Sequence, residues 1–287
     1  MNQSNNFSGE KFSLRTWLRS WPVRIAQGAL VGGGAILPGV SGGVLCVAFG
    51  IYRPMMELLS HPLKSFKKHY RLFVPFIIGW LLGFWGLARI TELLFSVSSS
   101  AAVSLFAGLV AGTLPQLFGE ASEGGVRKSS YVGMTVAAFL MYALLSTFKN
   151  GGDVAIVPGI GWYVFCGVVW GLSLVVPGLS SSSILIFLGL YEPMASGIAA
   201  LRPDVILPLI CGIVITAMLS ARAVDELFCK FGQFTNYTVL GIVLASTLLI
   251  VPTLFESPVE ILICAMLFFG GFVGAYFLNK YSGETDN

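Results

Sequence analysis

Long apolar runs constrain the fold of this chain more than any other feature. A run of about 20 apolar residues is long enough to cross the hydrocarbon core of a membrane. Only 11% of the residues are charged, against roughly 25% in soluble domains, so a soluble enzyme and a singly anchored protein are both excluded. The apolar runs, four in each half, span residues 25–50, 72–95, 101–118, 131–148, 162–190, 205–228, 237–252 and 259–278.

The two halves of the chain are related in sequence. At a constant offset of 139 residues, 38–55 matches 177–194 at seven of 18 positions, including a Pro-Gly pair and a Gly-x-Tyr-x-Pro-Met string. At an offset of 133, residues 73–95 match 206–228. Shared apolar composition does not place proline, arginine and acidic residues in the same order, so we predict an internal duplication. Among the matched pairs of the second block are Pro75/Pro208, Gly79/Gly212, Ala88/Ala221 and Arg89/Arg222.

The distribution of Lys and Arg predicts how the first run meets the membrane. These residues favour the cytoplasmic side, and they flank the first run on both sides. The first run is therefore expected to enter and leave on the same side, as a re-entrant hairpin. Its first arm, 25–38, is about 21 Å of helix, too short to cross, and Pro38-Gly39 interrupts it. The flanking basic residues are Lys11, Arg15, Arg19 and Arg24 before the run and Arg53, Lys64, Lys67, Lys68 and Arg71 after it.

The predicted fold is an all-α polytopic membrane protein with two inverted-topology repeats, each a re-entrant hairpin plus three transmembrane helices. Three crossings per half is an odd number, so the second half is upside down relative to the first and both termini are cytoplasmic. The predicted divisions are a cytoplasmic or interfacial segment 1–24, repeat 1 over 25–148, a linker 149–161, repeat 2 over 162–280 and a cytoplasmic tail 281–287.

Both hairpin tips carry residues suited to binding an anion. A half-helix begins after each Pro-Gly turn, and its free N–H groups and positive dipole end favour negative charge. Two such starts that meet from opposite faces would form a pseudo-symmetric site near the membrane midplane. The alternative is that Pro-Gly only turns the hairpin and a serine caps the next helix. The candidate residues are Gly39, Ser41, Gly42, Gly43, Gly178, Ser180, Ser181, Ser182 and Ser183.

Arg89 and Arg222 form a second candidate constellation. Charged residues within spans are costly and usually face a partner or a cavity. Each arginine is followed three residues later by an acid, Glu92 or Asp225, which helical spacing places on the same face. In the inverted topology the two arginines lie at opposite membrane faces and would serve an anionic substrate alternately. The equally weighted alternative is an arginine that snorkels to the interface and pairs with its helical neighbour.

Other ligands and chemistries receive little support from the residues. A net charge of +3 does not indicate nucleic acid, and five scattered cysteines lack metal-ligand spacing. We therefore predict no metal and no cofactor, with coupling to a proton or sodium left open.

The string from Gly39 to Gly42 matches the nucleophile motif of rhomboid proteases, but none of the eight predicted apolar runs holds a histidine to act as base. An intramembrane phosphatase and a small-anion channel or transporter remain as alternatives.

The strings GGGAILPGVSGG and LVVPGLSSSSILIFLGLYEPM resemble the bacterial polyprenyl-phosphate transporters, and the resemblance runs from about residue 24 to 280. It departs at Ser181-Ser182, where a glycine is expected. Polyprenyl-pyrophosphate phosphatases resemble the chain in their hairpins, but the arginine of their phosphate motif and their paired glutamates are missing here. The resemblance implies a multi-pass protein of the bacterial inner membrane whose partners are undecaprenyl phosphate and membrane lipid, with no oligomeric state indicated. It also implies that the lipid phosphate returns from the outer to the inner leaflet by alternating access.

Overall fold

The computed structural model describes residues 14–38, 45–46, 49–51, 54–55, 58, 62–122, 128–150, 158–176 and 179–283. Within these ranges the regular structure is entirely α-helical, which confirms the predicted all-α class. The helices are α1 (Leu14–Ile36), α2 (Pro62–Val97), α3 (Ser99–Ser122), α4 (Lys128–Asn150), α5 (Ile160–Val175), α6 (Ser181–Phe187), α7 (Tyr191–Ala199), α8 (Pro203–Ile250) and α9 (Pro258–Gly283).

Among the residues that the structure describes, six helical segments are long and apolar enough to cross a membrane, as the prediction of six spans requires. Three belong to each half, and α8 supplies two of them because its helix bends at Phe231. The spans are Lys64–Val97, Ser99–Ser122, Lys128–Thr147, Pro203–Ser220, Lys230–Ile250 and Pro258–Lys280.

Several predicted element boundaries are wrong, including that of the first run, since α1 begins at Leu14 and not at residue 25. The second run was expected to begin at Leu72, but α2 begins at Pro62 and changes direction at His69, where φ is −114° and ψ is 19°. A loop was expected between residues 228 and 237, but α8 is helical there. In both places the helix continues beyond the apolar run, because helix formation does not require an apolar side chain.

Glycines bring the backbones of α1 and α2 into close contact. A Cβ atom added to Gly28 would lie 2.0 Å from the carbonyl oxygen of Phe76, and one on Gly32 would lie 2.1 Å from that of Trp80. Only glycine fits at such a separation, as in the small-residue packing of membrane helices. Because the contact positions rise together along both helices, α1 and α2 run in the same direction.

The second half reproduces this crossing in the same register. Gly167 packs against the carbonyl oxygen of Leu209, 2.2 Å from an added Cβ, and Gly212 packs in the same way against Val164 at 2.3 Å. Gly167 and Gly28 are 139 residues apart, and Leu209 and Phe76 are 133 residues apart. These are the offsets found in the sequence, so the internal duplication is also present in the helix contacts.

The turns in the two hairpins also match. Gly50 and Gly189, again 139 apart, both adopt left-handed backbone, with φ of +66° and +69°. After each glycine the next N–H reaches back five residues, from Ile51 to the Cys46 carbonyl at 2.8 Å and from Leu190 to the Leu185 carbonyl at 2.9 Å. This is the Schellman helix ending, which glycine favours.

The remaining spans pair across the two halves. In α3, Gly108 meets the Phe268 carbonyl oxygen of α9, 2.0 Å from an added Cβ, whereas in α8 Gly241 meets that of Met134 in α4 at 2.2 Å. The second span of each half therefore packs on the third span of the other.

The largest core cluster joins the second predicted hairpin, here α5, α6 and α7, to the first half. Leu185 of α6 and Met194 of α7 pack with Ala88 of α2 and Phe106 of α3, and Ile36 at the end of α1 belongs to the same cluster. The second hairpin is thus enclosed by protein on the side that faces the first half.

Candidate functional site

The second hairpin is interrupted where its predicted binding motif lies. Helix α5 ends at Val175, and α6 begins at Ser181. With 16 residues, α5 is about 24 Å long and too short to cross the hydrocarbon core. Helices α6 and α7 are bent by 107° relative to each other. The chain therefore changes direction sharply between α6 and α7.

Serine hydroxyls cluster at this interruption. The hydroxyl oxygens of Ser180 and Ser183 are 3.2 Å apart, and those of Ser173 and Ser181 are 3.0 Å apart. Ser183 is fully buried and Ser181 is 8% exposed. Ser180 is the N-cap residue of α6, but its side chain makes no capping hydrogen bond within the part of the chain described. Ser180 thus occupies the N-cap position, as the capping alternative expects, but its hydroxyl faces the Ser183 hydroxyl instead of a backbone N–H.

Ser173 is a member of this cluster that the sequence motif missed. It lies on α5, before the Pro-Gly turn, and its hydroxyl oxygen is also 2.8 Å from the Trp170 carbonyl oxygen. The sequence alone could not predict that Ser173 joins this cluster, because its contact with Ser181 depends on how α5 packs on α6. Ser182, the remaining serine of the motif, is half-buried.

The tip of the second hairpin packs inside the protein. Val176 and Leu179 belong to a core cluster with Val110 of α3 and Val243 of α8. Ser181 and Ser183 are buried beside this packed tip, and Ser173, Ser180 and Ser182 are partly buried. The predicted residues Gly39, Ser41, Gly42, Gly43 and Gly178 lie outside the residues that the structure describes.

Arg89 lies at the other end of the second hairpin. Its Nη1 is 3.2 Å from Glu92 Oε2, which confirms the pairing expected from helical spacing, and its side chain is 50% exposed. The Glu92 Oε1 accepts a hydrogen bond from the Ser196 hydroxyl of α7 at 2.9 Å. Trp85, whose ring lies 5.7 Å from the Arg89 guanidinium carbon, donates its indole N–H to the Ala199 carbonyl oxygen at 3.0 Å.

These contacts place Arg89 beside α7, whereas the serine pairs lie at the start of α6. The arginines and the hairpin tips were predicted as two separate groups, and no contact between Arg89 and the serines is among those of the described residues. Arg222 and Asp225 are helical residues of α8 at the positions matched to Arg89 and Glu92, but their side chains lie outside the description. Their pairing and their role stay predictions.

No group of three or more histidine, cysteine, aspartate or glutamate side chains is arranged to hold a metal ion among the residues described. The polar groups brought together are instead hydroxyls at the hairpin tip and one arginine–glutamate pair at its base. Hydroxyls are donors that suit phosphate oxygens, and a guanidinium is a counter-charge for them.

Fold and site together define a multi-pass helical membrane protein with polar groups at an interrupted hairpin. A family model described as VCA0040-like, undecaprenyl phosphate translocase-like, matches residues 31–258. The chain belongs to this family. It is 22% identical over 279 residues to a polyprenyl-phosphate transporter of Staphylococcus aureus, covering 92% of this chain and 98% of the relative.

A polyprenyl-phosphate transporter of Vibrio cholerae is 21% identical over 234 residues, which cover 77% of this chain and 74% of the relative. No solved structure matches the chain at a significant level. The family predicted from the hairpin strings is confirmed by the family model and by both relatives.

Proposed function

We propose that this protein transports a polyprenyl phosphate, undecaprenyl phosphate in bacteria, across the cytoplasmic membrane. The observation that carries the proposal is the cluster of four serine hydroxyls at the interruption of the second hairpin, inside the protein. The relatives named as polyprenyl-phosphate transporters support the substrate class. A phosphomonoester carries about −1.5 to −2 charges and does not enter hydrocarbon unassisted, whereas the prenyl tail can remain in lipid.

The phosphate head binds, in this proposal, through hydroxyl donors rather than through a helix dipole. Helix α6 has only seven residues, so its macrodipole is small and cannot supply the attraction alone. The hydroxyls of Ser180 and Ser183 face each other in the structure, and each has a proton that can turn toward a phosphate oxygen. The glycines and serine of the first hairpin complete the site.

The parallel direction of α1 and α2 supports a re-entrant first hairpin. Gly32, one turn before the end of α1, lies beside Trp80, so the end of α1 is level with the middle of α2. The chain must then return to the starting face before α2 begins. With three spans in each half and reciprocal contacts between halves, this arrangement favours inverted repeats that rock to expose one site alternately.

The direction of transport and the roles of the arginines complete the proposal. Arg89 attracts the phosphate at the outer face, and Arg222 receives it at the inner face. Glu92 and Asp225 neutralise the arginines or carry a coupling proton, with sodium as the other candidate ion. Both termini lie in the cytoplasm, since the basic flanks of the first hairpin favour that side.

Proteoliposomes that contain labelled undecaprenyl phosphate test the function directly. The wild-type protein is expected to move the phosphate between leaflets without releasing inorganic phosphate. Loss of a hydrogen bond to a charged group is worth about 1.5–3 kcal/mol, so Ser183→Ala is expected to slow transport at least tenfold. Ser246→Ala is the matched control, because Ser246 is equally buried but donates within its own helix, to Val243.

Three results would contradict the proposal. Release of inorganic phosphate would indicate an intramembrane phosphatase. Conduction of small anions without movement of the lipid would indicate a channel. Equal rates for Ser183→Ala and Ser246→Ala would remove the serine cluster from the site.

A further inference from the structure

Arg89 and Arg202 pair with their acidic neighbours in different ways. Arg202 engages both carboxylate oxygens of Asp204, one through Nε and the other through Nη2. Arg89 engages Glu92 through Nη1 alone, at 3.2 Å from Oε2. The two arginine side chains are 50% and 57% exposed, so access of solvent does not explain the difference. The Nε and Nη2 atoms of Arg89 make no hydrogen bond to any residue that the structure describes.

The hydroxyl of Ser196 accounts for this single contact. It donates a hydrogen bond to Glu92 Oε1 at 2.9 Å, which leaves only Oε2 for Arg89. A carboxylate with both oxygens free can pair with a guanidinium through two parallel hydrogen bonds, as Asp204 does with Arg202. Ser196, which lies on α7, therefore prevents Glu92 from forming the same double contact with Arg89.

Trp85 holds the guanidinium of Arg89 from a second direction. The centroid of its ring lies 5.7 Å from the guanidinium carbon, and its indole N–H donates to the Ala199 carbonyl oxygen at 3.0 Å. The two neighbours of Arg89 on α2, Trp85 and Glu92, are thus both fixed by α7. The free Nε–Nη2 edge of a guanidinium matches the spacing of two phosphate oxygens.

We propose that Ser196 is a positioning residue, which keeps the Nε–Nη2 edge of Arg89 free to bind the phosphate monoester of the lipid. This inference rests on the proposed function, in which Arg89 attracts the phosphate at the outer face. Ser196 acts through Glu92 and does not contact the phosphate itself. Without the Ser196 hydroxyl, both oxygens of Glu92 can turn to Arg89, and the acid then competes with the phosphate for the same donors.

Binding of a short-chain prenyl phosphate to the purified protein in detergent tests the inference. Ser196→Ala is expected to raise the Kd about fivefold, and Ser196→Thr, which keeps the hydroxyl, is expected to restore it. Ser146→Ala is the matched control, because Ser146 is also half-buried on a span but donates within its own helix, to Ala143. The corresponding prenyl alcohol has no phosphate and is expected to bind equally to all variants.

Glu92→Ala separates a positioning role from a purely structural one. This variant has no carboxylate to compete for Arg89, so adding Ser196→Ala to it is expected to leave the Kd unchanged. A structural role of Ser196 would weaken binding in both backgrounds, and that result would overturn the inference. Equal Kd values for Ser196→Ala, Ser146→Ala and the wild type would also overturn it.

Transport in proteoliposomes distinguishes failure of the inference from failure of the proposed function. Ser196→Ala is expected to raise KM for undecaprenyl phosphate, with a smaller change in kcat. If the wild-type protein moves no lipid, the proposed function fails. If the wild-type protein transports the lipid and Ser196→Ala has the same KM as Ser146→Ala, only the inference fails.

Discussion

Gly28→Ala is expected to weaken the contact between α1 and α2. The added Cβ would lie 2.0 Å from the Phe76 carbonyl oxygen, whereas ordinary contacts begin at 3.4 Å. The backbones must therefore separate by about 1.4 Å, and neither can yield as a flexible side chain would. Overpacking of this kind costs roughly 1–3 kcal/mol. The intrinsic gain of alanine over glycine in a helix, at most about 1 kcal/mol, does not offset the upper part of that range.

Thermal unfolding in detergent, followed by loss of the monodisperse protein peak, measures this effect. Gly86→Ala is the matched control on α2, because no atom lies within 4 Å of an added Cβ there. We expect Gly28→Ala to unfold several degrees below the wild type and Gly86→Ala to unfold at or above it. Gly167→Ala, the repeat equivalent, is expected to behave like Gly28→Ala. If Gly28→Ala is as stable as Gly86→Ala, the close helix crossing is wrong.

Two further predictions follow from single residues. Gly189→Ala places a side chain at φ +69° and is expected to lower the free energy of unfolding by about 1–2 kcal/mol. The same unfolding assay measures this effect, and an unchanged unfolding temperature would contradict the left-handed turn. Arg89→Gln is expected to slow lipid transport about tenfold but to leave the unfolding temperature nearly unchanged, because an exposed ion pair contributes about 0–1 kcal/mol. Arg202→Gln, which breaks the comparably exposed pair with Asp204, should leave transport unaffected; equal transport by both variants would exclude a substrate role for Arg89.

The spans and the duplication could be predicted from sequence because both depend on local information. Apolar runs identify the six spans, and matched residues at offsets of 139 and 133 identify the repeat. The sequence motif Gly-x-Tyr-x-Pro-Met also marks the paired turns at Gly50 and Gly189. The extra helical turns before Leu72 and around Phe231 were missed because an apolar run identifies the part of a helix that lies in the membrane, and not where the helix itself begins and ends.

The pairing of helices between the halves could not be predicted in the same way. The sequence shows that Gly108 and Gly241 are small residues on apolar helices. It does not show that they pack against Phe268 and Met134. Those partners depend on the relative placement of two repeats, which is decided by packing over the whole interface.

The separate positions of Arg89 and the serines could not be predicted for the same reason, because they too depend on packing between segments distant in sequence. Helical spacing within one segment is enough to predict that Arg89 pairs with Glu92, because both residues share a helix face. It does not reveal that Glu92 also accepts a hydrogen bond from Ser196, which anchors the pair at the end of α7. Arg89 is thus held by contacts that reach α7, whereas the serine pairs lie at the start of α6. We therefore expect the phosphate to meet Arg89 and the serines at different steps of the proposed transport cycle.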